Sequence, residues 1–397
     1  MNIYLYENHQ AVNFDPIAKT RAAFDIRFGS ETFIERVQSI FPNSNISLIV
    51  RPDLEEITKE KHRDKEVNPK TIKEGLWLLG NVIWDIDDLT LFVNQESTFY
   101  SGGNLVGVHL SKLMGENWMK NGGPLQCDPP TQKRVDVNSI SCQYLWNILD
   151  QLPQSILTEF NQRANPIDPN NYPEVFFMNP DNVFIGESTI QPTTLINAEN
   201  GPVIIEDGVL IHGQSYLEGP LYIGTKSVIK PHSHIKHSVI GPKCKIGGEV
   251  NTVIIQGFTN KVHDGYLGNA FLGEWINLGA GTINSNLKNN YTQVNVQING
   301  KNVNTESLHI GCFLGDYVKT AIGTTINTGT VIGPAAMIVT DGFPPKIIRP
   351  FTWYVNGKHR TVLFDKFLET THHVKERRGQ NLTKIEISLL KNIRNSR

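Results

Sequence analysis

From Ile205 onward aliphatic residues return every six positions, at Ile205, Ile211, Leu217, Ile223, Ile229 and Ile235. The beat slips by one at Ile240 and Ile246, returns at Tyr266, Leu272 and Leu278, and resumes at Leu308, Leu314, Ile326, Ile332 and Ile338, with Thr320 alone out of step in the last set. A period of six does not match the 3.6 of a helix, and the β-branched, glycine-rich, proline-punctuated text disfavours helix throughout. Val318, Thr324, Thr330 and Ala336 stand four positions after successive beats of the last set, and glycine directly follows the aliphatic at Gly224, Gly241, Gly247, Gly273, Gly279, Gly315 and Gly333. A chain that winds in flat faces and tight corners needs one inward aliphatic per face, a small inward neighbour near the corner, and glycine where the turning backbone leaves no room for a side chain. The pattern predicts a parallel β-solenoid whose coils stack their aliphatics into one column.

The text before the solenoid differs. NIYLY (2–6) and ISLIV (46–50) read as buried strands, and between them Phe33, Ile34, Val37 and Ile40 fall at helical spacing, so the chain opens β-α-β. GLWLLGNVIW (75–84), DIDDLTLFVNQ and NLVGVHL suggest further strands, and Tyr144–Phe160 a helix. An α/β domain is expected over 1–165, a linker over 166–183 close to the Pro- and Asn-rich NPIDPNNYP (165–173), the solenoid over 184–340, and a helical extension over 341–397. The last 27 residues carry seven Lys or Arg against two Glu, which reads as a solvated helix face or, alternatively, a lid facing an anion.

Composition narrows the partners. The 397 residues hold 37 basic and 39 acidic side chains, a formal charge of -2, without the broad cationic field that grips a nucleic-acid backbone. Cys127, Cys142, Cys244 and Cys312 form no C-x-x-C pair, the first residues lack the order of a signal peptide, and no stretch approaches a membrane span of about 20 apolar residues. A cytoplasmic protein with no nucleic-acid or membrane partner is expected.

Candidate chemistry gathers in NKVHDGYLGNAFLGEWINLGAGTINSNLKNNY (260–291), where His, Tyr, Asn and Lys interrupt the repeat. A His three residues before Tyr-Leu-Gly, the run Asn-x-Gly-Ala-Gly-Thr-Ile, a following Asn and a Lys soon after resemble the acetyltransferase half of the bifunctional N-acetylglucosamine-1-phosphate uridylyltransferase / glucosamine-1-phosphate acetyltransferase family. The repeat region resembles the hexapeptide-repeat acyltransferases. These resemblances imply a left-handed parallel β-helix with three faces per coil, acetyl-CoA as co-substrate lying along the groove, a sugar phosphate as acceptor, and a homotrimer with its site between protomers. Transfer of an acetyl group from a thioester to an amine needs a base for the amine proton, and imidazole suits that near neutral pH. His263 is the candidate base, and the glycine-flanked Ala280 the candidate main-chain donor to the oxyanion. By the same resemblance Tyr266, Asn277 and Asn286 would hold the sugar, with Lys288 and Lys230 neutralising its phosphate. The Asn-Leu-Lys-Asn-Asn-Tyr after Ser285 departs from the family's Asn-Tyr-Asp-Gly, so recognition of the sugar hydroxyls is expected to differ. His232, His234 and His237 lack a nearby carboxylate or cysteine and read as edge residues rather than metal ligands.

In these relatives the preceding domain is a Rossmann-like nucleotidyltransferase that joins a sugar 1-phosphate to a nucleotide. Its phosphate loop is glycine-rich, whereas ENHQAVNFDPIAKTRAAFDIRFG has no glycine before Gly29. What remains resembles a divergent branch with Thr-Arg and Asp-x-Arg-x-Gly, which points to Thr20, Arg21, Asp25 and Arg27 as nucleotide-binding residues, and to Asp85, Asp87 and Asp88 for Mg2+ were the domain active. The competing reading has Arg21 and Arg27 paired with carboxylates and the Asp cluster as a turn.

Overall fold

The computed structural model describes residues 1–92, 97–163 and 167–396. The β-α-β opening is present: Asn2–Tyr6 and Asn45–Ile49 run parallel, connected through helix Phe33–Ile40, and Gly75–Leu79 lies on the other side of the first strand. The helix begins where Thr32 and Glu35 form a capping box, each side chain accepting from the other's amide. The hairpin Ser97–Ser101 with Asn104–Leu110 and the strand Lys133–Asp136 complete a six-stranded mixed sheet. One expected strand is absent. Ile86–Asp88 is a 3-10 turn and Leu89–Phe92 a turn of α-helix, because the Asp85 carboxylate accepts from the Asp87 amide at 3.0 Å and offers the backbone a local alternative to the sheet. Residues 93–95 of that segment lie outside the described residues.

The second half is a parallel β-solenoid. Nine strands stack on one face, from Val183–Ile185 and Val203–Ile205 through Cys312–Leu314 and Thr330–Ile332 to Ile347–Ile348, each paired in register with the next. The beat residues form the interior: Ile205, Ile211, Leu217, Ile223, Ile229, Ile235, Ile240, Ile246, Leu272, Leu278, Leu314, Ile326, Ile332 and Ile338 are each at most 2% exposed. Two do not. Tyr266 points outward and Leu267 takes the inward place, because the corner between Leu267 and Leu272 is one residue shorter than six, as it is between Val250 and Ile255. Leu308 is exposed, on an excursion from the coil. Thr320 does point inward, where its hydroxyl accepts from the Gly279 amide at 3.0 Å and bonds Thr282 at 2.8 Å.

The solenoid is longer at both ends than its rhythm suggests. Phe176–Met178 already pairs with Leu195–Asn197, inside the segment expected to link, and Ile347–Ile348 and Thr352–Val355 continue the stack past residue 340. Asn165 and Pro166 of the expected linker lie outside the described residues. After the hairpin Thr352–Val355 with Lys358–Thr361, helices Phe364–Glu376 and Lys384–Asn395 close the chain. Two of their basic residues are not a solvated face. Lys375 pairs with Glu386, and Arg378 donates to the Lys243 carbonyl and to Asn260 Oδ1, tying the tail to the solenoid.

One solenoid face is covered by the first domain. Its outward residues Ile204, Tyr222, Val239, Ile254, Phe271 and Phe313 belong to the same buried cluster as the first domain's core, and helix Leu145–Asn161 lays Trp146 5.9 Å from Phe313. Removing this much apolar surface from water makes the two halves one body.

Candidate functional site

Successive coils bring two candidate groups to one corner. The Asp264 carbonyl accepts from the Gly281 amide at 3.1 Å, and the Ala280 carbonyl from the Gly323 amide at 2.7 Å, so the His263–Gly265 turn lies directly on the Ala280–Gly281 turn. Gly265 is required there: its φ is +127°, and a Cβ would stand 2.2 Å from the Thr282 carbonyl of the next coil. The His263 ring is exposed and makes no hydrogen bond among the described residues. The Ala280 amide likewise has no partner among the described residues, while its neighbours Gly279 and Gly281 both donate. An unspent imidazole and an unspent main-chain donor therefore sit one coil apart.

Tyr266 and Asn286 meet at the next corner. Asn286 Nδ2 donates to the Tyr266 hydroxyl at 3.0 Å and to Asn269 Oδ1 at 2.6 Å, and with Asn251 these residues form the floor of a cleft of about 520 Å³. Burial pushes the Tyr266 phenol up, so it stays a neutral donor. Such a floor of carboxamides and one phenol, donors and acceptors in fixed places, suits the hydroxyls of a sugar.

The other residues expected to bind substrate lie apart. Asn277 is exposed on the third face, where its backbone bridges Asn260 and Lys319. Lys288 Nζ is engaged by the Gln293 carbonyl and Thr292 Oγ1 of its own loop. Lys230 is two coils before Val262, roughly 10 Å at the usual strand spacing.

Lys261 was not foreseen from the sequence. It occupies an inward place in the column, in register with Ile246 and Ile229, and is 2% exposed. Its ammonium donates to the Gly247 carbonyl at 2.7 Å and to the His263 carbonyl at 3.1 Å, holding the His263 turn from beneath. Burial lowers its pKa to about 8, against partial help from Asp264 and Glu249. The available signal was a lysine where the repeat calls for an aliphatic.

The first-domain candidates are buried against the solenoid. Arg21, 7% exposed, pairs with Asp316 and, at 3.1 Å, with Glu274, while Thr20 Oγ1 donates to Asp316 at 2.7 Å. Burial works against ionisation of Glu274, but Arg21 overrides it and holds the carboxyl below its usual range. The Arg27 amide donates to Gln256 Oε1, and Gln256 returns a bond to the Asp25 carbonyl at 2.8 Å. Burial likewise opposes the charge of Asp25, yet Lys61 and His62 hold its carboxyl at about 2. Gly29 leaves room for Glu159, whose carboxylate would lie 2.3 Å from a Cβ there and accepts from the Ser30 amide. The pairing expected of Arg21 as the competing reading is what these contacts describe, with partners on the other domain.

The Asp cluster is a turn. Asp88 accepts from Asn138, Ser139 and the Ser139 hydroxyl, Asp85 from Asp87, and among the described residues no three His, Cys, Asp or Glu side chains gather to hold a metal ion. His234 packs edge-on to Tyr216 at 5.0 Å, His237 lies 3.7 Å from Glu218, and His232 is exposed. No helix among the described residues is long and apolar enough to cross a membrane.

Residues 3–165 match the model of the sugar nucleotidyl transferase family, so the first domain is of that type. A bifunctional sugar-1-phosphate nucleotidylyltransferase/acetyltransferase of Sulfurisphaera tokodaii is 38% identical over 143 residues, 35% of either chain. The bifunctional protein GlmU of a Nostoc species is 28% identical over 201 residues, 45% of this chain and 44% of that one, and the GlmU of Wolbachia pipientis 31% identical over 172 residues. The chain thus spans between a third and a half of these relatives' length.

Two outcomes follow from the buried charges. Below pH 8 Lys261 is protonated in both folded and unfolded chains and its burial cost stands in full; between about 8 and 10.5 the folded chain gives up the proton first. Denaturation at pH 7 and pH 10.5 should therefore show wild type gaining about 3 kcal/mol relative to Lys261→Met, and an unchanged difference would refute the buried charge. Arg21→Ala strands Asp316 and Glu274 and should cost about 3–5 kcal/mol by urea unfolding; a loss under about 1 kcal/mol would mean that the pair does not hold the domains together.

Proposed function

We propose that the solenoid is an acyltransferase that moves the acetyl group of acetyl-CoA onto the amine of an amino-sugar 1-phosphate, within the biosynthesis of a nucleotide sugar. The observation that carries this reading is the corner where an exposed imidazole and a main-chain amide without a partner lie on consecutive coils. The acceptor nitrogen attacks the thioester carbonyl as His263 takes its proton. The carbonyl oxygen becomes an oxyanion that receives the Ala280 N–H. The C–S bond then breaks, and the leaving thiolate of coenzyme A takes the proton back from the imidazolium. Lys261 positions the His263 turn without touching the reactants. In the homotrimer that the resemblance implies, the neighbouring protomer closes the groove in which coenzyme A lies.

The family match favours a second reading, nucleotidyl transfer in the first domain. Against it stand the contacts of Arg21 and Asp25, which are spent on the solenoid and on neighbouring side chains, those of Arg27, whose amide donates to Gln256 and whose guanidinium donates to the Gly29 and Ser30 carbonyls, and the unbroken burial from Arg21 to Gly29. On the favoured reading the first domain is a platform that orders the solenoid.

The test is release of free coenzyme A from acetyl-CoA in the presence of amino-sugar 1-phosphates. Because His263 is exposed, His263→Ala should keep the wild-type melting temperature and lose about 10²–10⁴-fold in kcat/KM. Turnover within a factor of about three of wild type would remove His263 from the mechanism.

A further inference from the structure

The two lysines that the family resemblance offers for the acceptor's phosphate, Lys288 and Lys230, are not among the residues that line the cleft floored by Tyr266 and Asn286, and Lys288 is bonded within its own loop. Other nitrogen-bearing side chains do: Lys236, His237 and His309 line the cleft, and no acidic side chain is among the described residues that line it, in a chain that is slightly acidic overall. The Lys236 ammonium makes no hydrogen bond or ion pair among the described residues, and neither does the His309 ring. His237 is different: burial lowers its pKa and Glu218 at 3.7 Å only partly offsets this, which makes it a neutral hydrogen-bonding wall.

His309 reaches the cleft because the coil is interrupted. The chain leaves the solenoid after Asn284, returns at Cys312, and crosses itself where Leu287 and His309 form an antiparallel bridge. The excursion is stiff. Its hairpin Asn295–Ile298 with Lys301–Asn304 buries Val294, Val296 and Ile298, and Asn299 Nδ2 donates to the Val12 carbonyl of the first domain at 2.8 Å. Lys236, on the strand His234–Lys236, faces the same opening from the solenoid wall.

We propose that Lys236 and His309 are the phosphate ligands of this cleft, gripping the monoester of a sugar phosphate whose hydroxyls lie on Tyr266, Asn269 and Asn286. An ammonium and an imidazole, both without a partner among the described residues and lining one cleft that no acidic residue lines, favour a compact dianion over a neutral sugar. The assignment deepens the acyl-transfer reading by naming what selects a phosphorylated acceptor, and it can be tested by binding alone.

Equilibrium binding of glucosamine 1-phosphate, glucosamine and inorganic phosphate to the full chain, in wild type, Lys236→Met and His309→Gln, decides it. The phosphate ester should bind wild type, and each variant should weaken it by roughly tenfold or more while leaving any binding of glucosamine unchanged. Wild-type binding of neither glucosamine 1-phosphate nor inorganic phosphate overturns the assignment, as do variants that bind the ester as wild type does. If the ester binds as expected but wild type transfers no acetyl group to it, the acyl-transfer reading fails and the phosphate site stands. If wild type transfers acetyl to glucosamine 1-phosphate and both variants keep its KM, the transfer reading stands and the phosphate site fails.

Discussion

The constraint behind this structure is that each coil of the solenoid must lie in register on the one before it, since the backbone amides of its flat faces have no other partners. Register fixes the inward column, and the column fixes where corners fall. The corners are where chemistry becomes available: a turn stacked on a turn spends most of its amides on its neighbour and leaves a few, such as that of Ala280, without a partner among the described residues. The site is thus built of backbone as much as of side chains. Lys261 belongs to the same logic, as a charge placed in an apolar column to satisfy two turn carbonyls.

Register also explains how the first domain matters without touching the proposed reacting groups. It covers one face of the coils with apolar contacts, locks to them through Arg21, Asp316 and Glu274, and bonds the hairpin of the excursion on which His309 also lies. A segment that resembles part of a nucleotide-binding signature is here the seam between domains. Gly29 serves the close approach of Glu159 rather than of a phosphate. A family likeness can persist in residues whose contacts have been redirected, because the same small, basic and acidic types suit a buried ion pair and a phosphate grip alike.

Much of the fold was legible in the sequence, and for a stated reason: a column of aliphatics leaves a period in the chain, and the β-α-β opening leaves runs of strand and helix spacing. Where the coils are short of inward aliphatics the period fades, so the strands Phe176–Met178 and Ile347–Ile348 read in the sequence as linker and tail. Tyr266 falls on the beat, and only the shorter corner turns it outward. His263 and Ala280 are named by the resemblance, but Lys236 and His309 are not. They lie more than seventy residues apart and meet only because an excursion folds back, and no local spacing records that. The partners of Arg21 are farther still, Asp316 lying 295 residues along the chain.

The most direct test of where the chemistry lies is a single incubation of wild-type protein with glucosamine 1-phosphate, radiolabelled acetyl-CoA, Mg2+ and the four nucleoside triphosphates, following label on the sugar phosphate and pyrophosphate release together. Chemistry at the solenoid corner with a sealed first domain predicts acetylated sugar phosphate and no pyrophosphate. Pyrophosphate release without acetylation would place the activity in the first domain and contradict this account.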